Sequence, residues 1–213
     1  MREKLPVHGL VLAGGRSSRM GEDKALLRFC GRPMVEIAVE KLREFCAVVT
    51  IAGNRGDLTE FAPVVQESRA GVGPAAGIEA GLGVATEEWA MFVPVDVPLV
   101  PRELLLRWAE AVLAMDGIVA SNLHYRRDQP AFCMLKRECL GRFSGALETG
   151  ERRLGVLLER ASDGFRWTAD LEELCGENAP DPAISDRWFS NVNTPEDLAE
   201  AEAWAREGGM GCQ

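Results

Sequence analysis

The feature that most constrains this chain is a glycine-rich loop that follows a short apolar run near the amino terminus. Residues 7–12 are mostly apolar and predict a buried strand, and Gly14 and Gly15 come directly after Ala13. Glycine lets backbone N–H groups approach a ligand closely, and successive N–H groups form a concavity that binds anions. Two cations, Arg19 and Lys24, come next. The stretch therefore predicts a phosphate-binding loop at the end of a strand.

This loop differs from two common nucleotide-binding motifs. The P-loop requires Gly-x-x-x-x-Gly-Lys-Ser/Thr, whereas here Glu22 and Asp23 separate Gly21 from Lys24. The dinucleotide fingerprint Gly-x-Gly-x-x-Gly is also absent, because Gly15 lacks the required glycine partners. An ordinary strand-to-helix turn is the alternative, although turn chemistry does not require two spaced cations.

Size and composition restrict the kind of protein this can be. With 213 residues, of which 46% are hydrophobic and 27% charged, the chain is typical of one globular domain. Its net charge of -9 makes nucleic acid a poor partner. The sequence has no apolar run long enough for a membrane helix. Its first residues are also not typical of a signal peptide. We therefore expect a cytoplasmic protein with neither nucleic-acid nor membrane partners.

The charge is unevenly distributed along the chain. Between positions 16 and 32, basic residues outnumber Glu22 and Asp23, whereas residues 169–213 carry many acidic side chains against Arg187 and Arg206. A basic spot on an acidic protein favours a small anionic ligand over a polyanion. The six cysteines form no Cys-x-x-Cys pair, which favours thiols over a zinc or disulfide framework.

Apolar spacing predicts alternating strands and helices. Strands are expected at 7–12, 47–52, 64–66, 89–95, 117–121, 130–135 and 188–191, and helices at 34–45, 74–84, 101–115, 136–148, 150–158 and 195–206. A charged loop at 122–129 would join two strands at the rim of the site. This alternation predicts a single three-layer α/β domain, in which a mostly parallel sheet carries helices on both faces.

Asp96 directly follows the apolar run 89–95. Open parallel sheets bind their ligands at the carboxyl ends of the strands, and a carboxylate there is costly unless it is paired or metal-bound. The next helix is expected to begin near Pro101, so Asp96 lies too early to cap it. We therefore predict a metal-binding carboxylate.

Three further segments have both a functional and a structural interpretation. Gly73 and Pro74 begin a helix whose bare N-terminus can approach a base or a phosphate, but they also fit an ordinary helix start. Two adjacent arginines at 152–153 are poorly placed for a helix dipole, which favours an anionic ligand over a solvated turn. A capping box explains 194–197 but leaves Asn191 and Asn193, for which turn formation is the alternative.

The opening stretch resembles the nucleotidyltransferase signature Leu-Ala-Gly/Ala-Gly-x-Ser-x-Arg-Met-Gly-x-x-Lys. Its Leu-Ala-Gly-Gly form resembles the molybdenum cofactor guanylyltransferases. Four later segments also resemble that family, namely Gly73-Pro74-Ala75-Ala76-Gly77, Val93-Pro94-Val95-Asp96-Val97-Pro98, Gly150-Glu151-Arg152-Arg153 and Asn191-Val192-Asn193-Thr194-Pro195-Glu196-Asp197. The family's Arg-Asp-His-Pro reads Arg127-Asp128-Gln129-Pro130 here, and glutamine can form hydrogen bonds but cannot carry a charge.

The resemblance implies a Rossmann-like nucleotidyltransferase fold and an activity. That activity is the transfer of GMP from GTP to molybdenum-bound molybdopterin, with release of pyrophosphate. Arg19, Lys24 and Asp96 would be catalytic, with Asp96 also holding Mg²⁺. The nucleotide would contact Leu12, Ala13, Gly14, Gly15, Lys24, Asn54, Glu67, Gly73, Pro74, Gly77 and Asp96. The pterin would face Gln129, Arg152, Arg153, Asn191 and Asn193.

The same resemblance implies how the chain is divided and which partners it meets. A nucleotide-binding half of the single domain (1–213) would cover about 1–115, and a second-substrate half about 116–213. Cofactor-insertion proteins or molybdoenzymes would make transient contacts. Two other functions remain open: a cytidylyltransferase acting on the same pterin, in which Leu-Ala-Ala-Gly is commoner, and a non-catalytic nucleotide-binding module.

Overall fold

Alternating side chains of the first strand divide the molecule into layers. Residues 3–14 and 23–208 are described by the computed structural model. In strand β1 (Leu5–Leu12), Val7 and Val11 enter one buried cluster, whereas Leu10 and Leu12 enter a second cluster on the other face of the sheet. Successive residues of a strand point to opposite faces, so a strand that is apolar at most positions is covered on both sides.

The elements follow one another as the apolar spacing predicts over most of the chain. The further strands are β2 (Arg28–Phe29), β3 (Arg32–Pro33), β4 (Cys46–Ala52), β5 (Val64–Val65), β6 (Trp89–Pro94), β7 (Ala120–Tyr125), β8 (Arg127–Lys136) and β9 (Arg166–Asp170). The helices are α1 (Met34–Arg43), α2 (Pro74–Val84), α3 (Arg102–Ala114), α4 (Leu140–Glu148), α5 (Leu154–Ser162), α6 (Leu171–Cys175), α7 (Pro182–Trp188) and α8 (Pro195–Glu207). Short 3₁₀ turns lie at Gly56–Glu60, Arg137–Cys139 and Gly176–Asn178.

The sheet has seven strands in the order β5-β4-β1-β6-β8-β7-β9. Strands β5, β4, β1 and β6 are parallel, and β8 is antiparallel to both β6 and β7. The chain places β4 and β5 on one side of β1 and then crosses to place β6 on the other side. This creates a switch point between β1 and β6, where open α/β sheets bind ligands.

Helices cover both faces of the sheet. The first buried cluster holds side chains of α1, α3, α6 and α8, and the second holds those of α2, α4 and α5. The prediction of a three-layer α/β domain with a mostly parallel sheet is therefore confirmed.

Several boundary predictions are wrong. The strand predicted at 117–121 is Ala120–Tyr125, and the helix predicted at 136–148 begins at Leu140, after a 3₁₀ turn. The predicted loop at 122–129 is mostly strand, because the ladder between β7 and β8 continues to the pair Tyr125–Arg127, with Arg126 at a positive φ of 55°. The helix predicted to begin at 150 begins at Leu154, because Gly150 has a φ of 89°. The strand predicted at 188–191 is absent from the described fold: α7 ends at Trp188, and the carboxylate of Asp181 caps its start.

The close approach of α2 to the sheet depends on Gly81. A Cβ at this position would lie 2.6 Å from Leu10 Cδ2 and 2.6 Å from Phe92 Cε1. We expect Gly81→Ala to destabilise the fold by about 1–3 kcal/mol, because overpacking forces the sheet and helix apart. Gly83→Ala, in the same helix but with open space around it, should stabilise the fold by about 0.5–1 kcal/mol. Urea unfolding of both variants tests this, and equal effects would contradict it.

The cysteines and the helix lengths add two observations. Cys46, Cys133, Cys139 and Cys175 are buried free thiols, as predicted, and burial raises the pKa of Cys46 to about 12. Cys30 is disulfide-bonded, so the prediction of thiols is wrong at this position.

Among the helices that the structure describes, none is long and apolar enough to cross a membrane.

Candidate active site

A cleft of about 490 Å³ opens at the carboxyl ends of β1 and β6. Many residues that the sequence predicted for the site line it: Leu12, Ala13, Gly14, Lys24, Glu67, Pro74, Asp96, Gln129, Asn191 and Asn193. Its remaining lining residues, which the sequence did not assign to the site, are Asp23, Ala25, Pro94, Val95, Pro130, Ala131 and Phe132. The cleft therefore lies at the switch point of the sheet and receives residues from both halves of the chain.

Backbone hydrogen bonds beyond the strand ends hold the walls of this cleft. The N–H of Val95 donates to the carbonyl of Leu12 at 3.2 Å, and the N–H of Ala13 donates to Ala52 at 2.9 Å. The N–H of Gly53 donates in turn to Val65 at 3.0 Å. Since these bonds continue the sheet pattern, the segments after β1, β4 and β6 begin from fixed positions.

The centre of the cleft is a group of three polar residues that we call the Lys24 cluster, namely Lys24, Asp96 and Asn193. The ammonium of Lys24 lies 3.3 Å from Asp96 Oδ2 and donates a hydrogen bond to Asn193 Oδ1. The side chains of Lys24 and Asp96 are 23% and 19% exposed, so the pair is reachable by a ligand but partly shielded from water. The N–H of Val192 also donates to the carbonyl of Asp96 at 2.8 Å, which ties the two distant segments together.

Asp197 positions the third member of the cluster. Its Oδ2 accepts hydrogen bonds from the N–H groups of Asn193 and Thr194, each at 2.8 Å, and Thr194 Oγ1 accepts from the N–H of Asp197. The bond from Asn193, with help from Thr194 and nearby Lys24, holds the pKa of Asp197 below its usual range. The predicted capping box is confirmed, and the bond to Asn193 shows that Asp197 does more than cap α8.

Glu67 and Gly14 lie against each other at the other end of the cleft. A Cβ added to Gly14 would stand 2.2 Å from Glu67 Oε1, and one added to Gly77 would stand 3.3 Å from the same atom. Burial raises the pKa of the Glu67 carboxyl above its usual value of 4.5. Among the described residues, no cation lies within ion-pair distance of this carboxylate. It is therefore an acceptor directed into a partly dry space.

Asn54 and Gly73 contribute without lining the cleft. The Oδ1 of Asn54 accepts a hydrogen bond from the N–H of Glu67 at 2.9 Å, so Asn54 fixes the backbone that carries Glu67. Gly73, at a φ of 63°, turns the chain into α2, a conformation that favours glycine. The structure thus gives both residues a role behind the wall of the cleft.

Gln129 stands at an irregularity of β8. The register with β7 shifts between the pairs Asn122–Cys133 and Leu123–Gln129, so residues 130–132 bulge from the ladder and face the cleft. Pro130 cannot donate to a ladder and is tolerated at a bulge. The ring of Phe132 meets that of Phe189 edge-on, with centroids 5.7 Å apart. An aromatic contact therefore supports the wall on this side.

Arg152 and Arg153 lie outside the cleft lining. One carboxylate oxygen of Glu151 accepts the N–H groups of both arginines at 2.9 Å, and Glu151 also pairs with the Arg153 guanidinium at 3.1 Å. These bonds lower the pKa of Glu151 to about 2. Arg152 Nη1 donates to the carbonyl of Leu147 at 2.9 Å. A local carboxylate and a carbonyl thus satisfy both arginines here, and their contact with a ligand stays a prediction.

Arg55 joins two walls of the cleft, and the sequence analysis did not assign it to the site. Its guanidinium forms ion pairs with Asp23, which lines the cleft, and with Asp57, at 2.6 Å. Asp23 Oδ1 also accepts the N–H of Ala25 at 3.0 Å. Arg55 therefore holds the segment that carries Lys24 against the loop after β4. The predicted residues Gly15 and Arg19 lie outside the described residues.

The Lys24 cluster has the donor chemistry of a magnesium site. Within 3–14 and 23–208, no group of three or more His, Cys, Asp or Glu side chains is placed to hold a metal. Mg²⁺ needs no such cage, because it prefers oxygen ligands, keeps several waters and is bound through one or two carboxylates plus substrate phosphates. The carboxylate of Asp96 and the amide oxygen of Asn193 meet that requirement and already contact one cation, the ammonium of Lys24.

Comparison with known proteins adds independent information. The MobA-like NTP transferase domain matches residues 9–164 of this chain. The molybdenum cofactor guanylyltransferase of Vibrio atlanticus is 33% identical over 196 residues, which cover 90% of this chain and 93% of that protein. The Vibrio cholerae protein of the same name is 31% identical over 195 residues, covering 90% and 89%. The structure of molybdopterin-guanine dinucleotide biosynthesis protein A from Archaeoglobus fulgidus superimposes with a TM-score of 0.75 at 25% identity, over 94% of this chain and 99% of that one.

Proposed function

This chain belongs to the MobA-like NTP transferase family, and from that premise we propose that it transfers GMP from GTP to molybdenum-bound molybdopterin, with release of pyrophosphate. The observation that carries the proposal is the Lys24 cluster. It places a cation, a carboxylate and an amide oxygen at the switch point of the sheet, between the predicted nucleotide side and the predicted pterin side. Relatives named molybdenum cofactor guanylyltransferase, which match over 90% of the chain, support the choice of substrates.

The reaction joins two phosphates, and this explains the chemistry of the cleft. The nucleophile is an oxygen of the terminal phosphate of the pterin, which is already mostly ionised at neutral pH, since its second pKa is about 6. This oxygen forms a bond to the α-phosphorus of GTP while the bond to pyrophosphate breaks. A general base is not required. The task of the protein is to reduce repulsion between anions and to stabilise charge on the leaving group.

Backbone amides and cations of the opening loop serve the triphosphate. The loop after β1 begins at Ala13 and Gly14 on the cleft wall. Since the N–H of Ala13 donates to Ala52, we assign the phosphate oxygens to the backbone N–H groups that follow Ala13. We assign Lys24, together with Arg19 and Gly15 from the predicted loop, to the phosphates and the leaving pyrophosphate. Lys24 meets the requirement of a cation that can reach the centre of the cleft.

We assign the metal to Asp96, with Asn193 as a second oxygen donor. When bound, Mg²⁺ would neutralise phosphate charge and polarise the phosphoryl group. Asp197 keeps the backbone of Asn193 in place, and Val192 keeps that of Asp96 in place, so both donors are oriented before a ligand arrives. A positioned donor set loses little freedom on binding.

Gly14 and Glu67 support a preference for guanine over cytosine. A carboxylate only accepts hydrogen bonds, and the Watson–Crick edge of guanine offers two adjacent donors, N1–H and N2–H, whereas that of cytosine offers one. An alanine at 14 would collide with the carboxylate of Glu67, so glycine at 14 leaves room for this carboxylate to accept hydrogen bonds from the base. The Leu-Ala-Ala-Gly form of the rival cytidylyltransferases would place a methyl group there. We assign Leu12 and Pro74, which line the cleft, to contact with the base, and Gly73 and Gly77 to the helix start that supports this wall.

The opposite wall is assigned to the pterin. Gln129 and Asn191 line it and offer amide hydrogen bonds to a second substrate. We place the reaction in the cytoplasm, where cofactor-insertion proteins or molybdoenzymes would receive the product.

Substitution of the two arginines tests their assignment to the pterin. We expect Arg152→Gln and Arg153→Gln each to raise the KM for the pterin substrate by about tenfold, because a charge-assisted hydrogen bond to an anion is lost. The affinity for GTP should stay unchanged. Arg160→Gln, which removes an exposed arginine of α5 that donates to Thr149 Oγ1 at 3.0 Å and does not line the cleft, is the control. Unchanged KM values in both variants would remove the arginines from the pterin site.

A panel of nucleotides tests the proposed function. Thermal unfolding and pyrophosphate release are measured with GTP, CTP, ATP and UTP, each with Mg²⁺ and molybdenum-bound molybdopterin. We expect GTP alone to give both a large rise in Tm and rapid pyrophosphate release. A preference for CTP would establish the cytidylyltransferase alternative, and a rise in Tm without turnover would establish the binding module.

A further inference from the structure

The cation that fills the centre of the cleft is a side chain of the protein itself. Lys24 Nζ is hydrogen-bonded to Asn193 Oδ1 and lies 3.3 Å from Asp96 Oδ2. These oxygens belong to the two residues that the proposed function assigns to the metal. One ammonium therefore contacts both oxygens at once.

We propose that Lys24 is an internal counter-ion that occupies the place of the metal until the triphosphate arrives. The inference rests on the proposed metal role of Asp96. When phosphate oxygens enter the cleft, the ammonium moves to them and frees Asp96 Oδ2 and Asn193 Oδ1 for the divalent cation. Lys24 thus makes the affinity for metal depend on the presence of nucleotide.

Electrostatics requires such an exchange at this site. An ammonium and a divalent ion cannot share two oxygens within a few ångströms, because their repulsion is strong where the side chains are only 23% and 19% exposed. Removal of the metal without a substitute would leave the Asp96 carboxylate partly buried and without a counter-ion, which is costly. Lys24 can leave when a metal ion binds and can neutralise Asp96 when none is bound, since its charge is compact and its four-carbon stem is flexible.

The remaining members of the cluster do not need to move. Asp197 fixes the backbone of Asn193, and the N–H of Val192 fixes the carbonyl of Asp96. The exchange therefore requires movement of the Lys24 side chain only, because the backbones that carry the two oxygen ligands are fixed. By linkage, nucleotide should strengthen metal binding, and metal should strengthen nucleotide binding by the same factor.

Metal binding by the nucleotide-free protein tests this directly. Mn²⁺ is titrated into the full chain and the free ion is followed by electron paramagnetic resonance. We expect Lys24→Met to bind Mn²⁺ roughly 10-fold more tightly than the wild-type chain. The same substitution should weaken the binding of GTP. Lys24→Ala should tighten Mn²⁺ binding as well, which excludes an effect peculiar to methionine. Lys4→Met, which removes an exposed lysine near the amino terminus, controls for net charge and should leave Mn²⁺ affinity within twofold of wild type.

A second substitution separates failure of this inference from failure of the proposed function. Asp96→Asn is combined with Lys24→Met, and we expect the tightened Mn²⁺ binding to be lost. If Lys24→Met alone binds Mn²⁺ no more tightly than wild type while Asp96→Asn weakens binding, the counter-ion inference is wrong and the metal role of Asp96 stands. If Mn²⁺ binding is tightened by Lys24→Met but survives Asp96→Asn unchanged, both the inference and the metal role of Asp96 are wrong.

Discussion

Asp96→Asn should lower the rate of Mg²⁺-dependent pyrophosphate release by about 10³-fold, at the upper end of the loss seen when one preorganised electrostatic group is removed. Asp96 supplies the carboxylate of the Lys24 cluster, and asparagine has the same shape without the charge. The substitution also leaves the backbone carbonyl of Asp96 free to accept the N–H of Val192 at 2.8 Å. The fold should therefore persist while metal binding is lost. Initial rates are measured with GTP and the pterin substrate over a range of Mg²⁺ concentrations.

The matched control for this substitution is Asp128→Asn. Asp128 is an exposed aspartate of the β7–β8 hairpin, which pairs with His124 at 2.8 Å and does not line the cleft. An exposed pair contributes about 0–1 kcal/mol, so the rate of Asp128→Asn should stay within about twofold. If pyrophosphate release by Asp96→Asn survives within tenfold of wild type, the metal role of Asp96 is wrong.

Glu67→Ala should lower the preference for GTP over CTP by roughly 10- to 100-fold. The loss of hydrogen bonds between a charged acceptor and the base costs about 1.5–3 kcal/mol. Gly14→Ala should act in the same direction, because its methyl group would displace the Glu67 carboxylate. The Glu67 carboxylate is the far end of a flexible side chain and can move aside, so Gly14→Ala should leave the free energy of unfolding nearly unchanged. The ratio of kcat/KM for GTP to that for CTP is the measurement.

Glu67 also gives the nucleotide preference a pH dependence. Burial raises the pKa of the carboxyl above 4.5, so it takes up a proton at a higher pH than an exposed glutamate does. GTP affinity should therefore fall as the pH drops through this raised pKa, and Glu67→Gln should remove that dependence. If Gly14→Ala and Glu67→Ala both keep the wild-type preference for GTP over CTP, the Glu67 carboxylate does not select the base.

Much of the fold follows from short-range patterns in the sequence. The bounds of α2 and of α8 were predicted within one residue, because Gly73 with Pro74 and Thr194 with Asp197 are local capping signals. Asp96 was also predictable, since its position requires only a buried strand and the residue that follows it. The family resemblance is confirmed by the comparisons.

The errors arise where a local pattern has two solutions. Four residues at 188–191 cannot distinguish strand from helix by spacing, and the capping signal at Asp181 with Pro182 decides for α7. The arginines at 152–153 do not begin a helix, because Glu151 accepts both of their N–H groups before α5 begins. The predicted start of this helix is therefore wrong, whereas contact of the two arginines with a ligand stays a prediction.

The contacts that define the site depend on the folded chain. Lys24 meets Asn193 across 169 positions, and Glu67 meets the bare backbone of Gly14 across the sheet. Neither contact has a periodic signal. The second role of Asp197 and the bridging role of Arg55 were missed because each residue also has an adequate local explanation, a helix cap and a polar turn.

The most direct test of the proposed activity is the identity of the product formed from a mixture of nucleotides. The purified chain is incubated with Mg²⁺, molybdenum-bound molybdopterin and equal concentrations of GTP and CTP, and the products are identified by liquid chromatography and mass spectrometry. We predict molybdopterin guanine dinucleotide as the main product, with one pyrophosphate released for each dinucleotide formed. A predominance of the cytosine dinucleotide, or the absence of any dinucleotide while GTP is bound, would contradict the proposal.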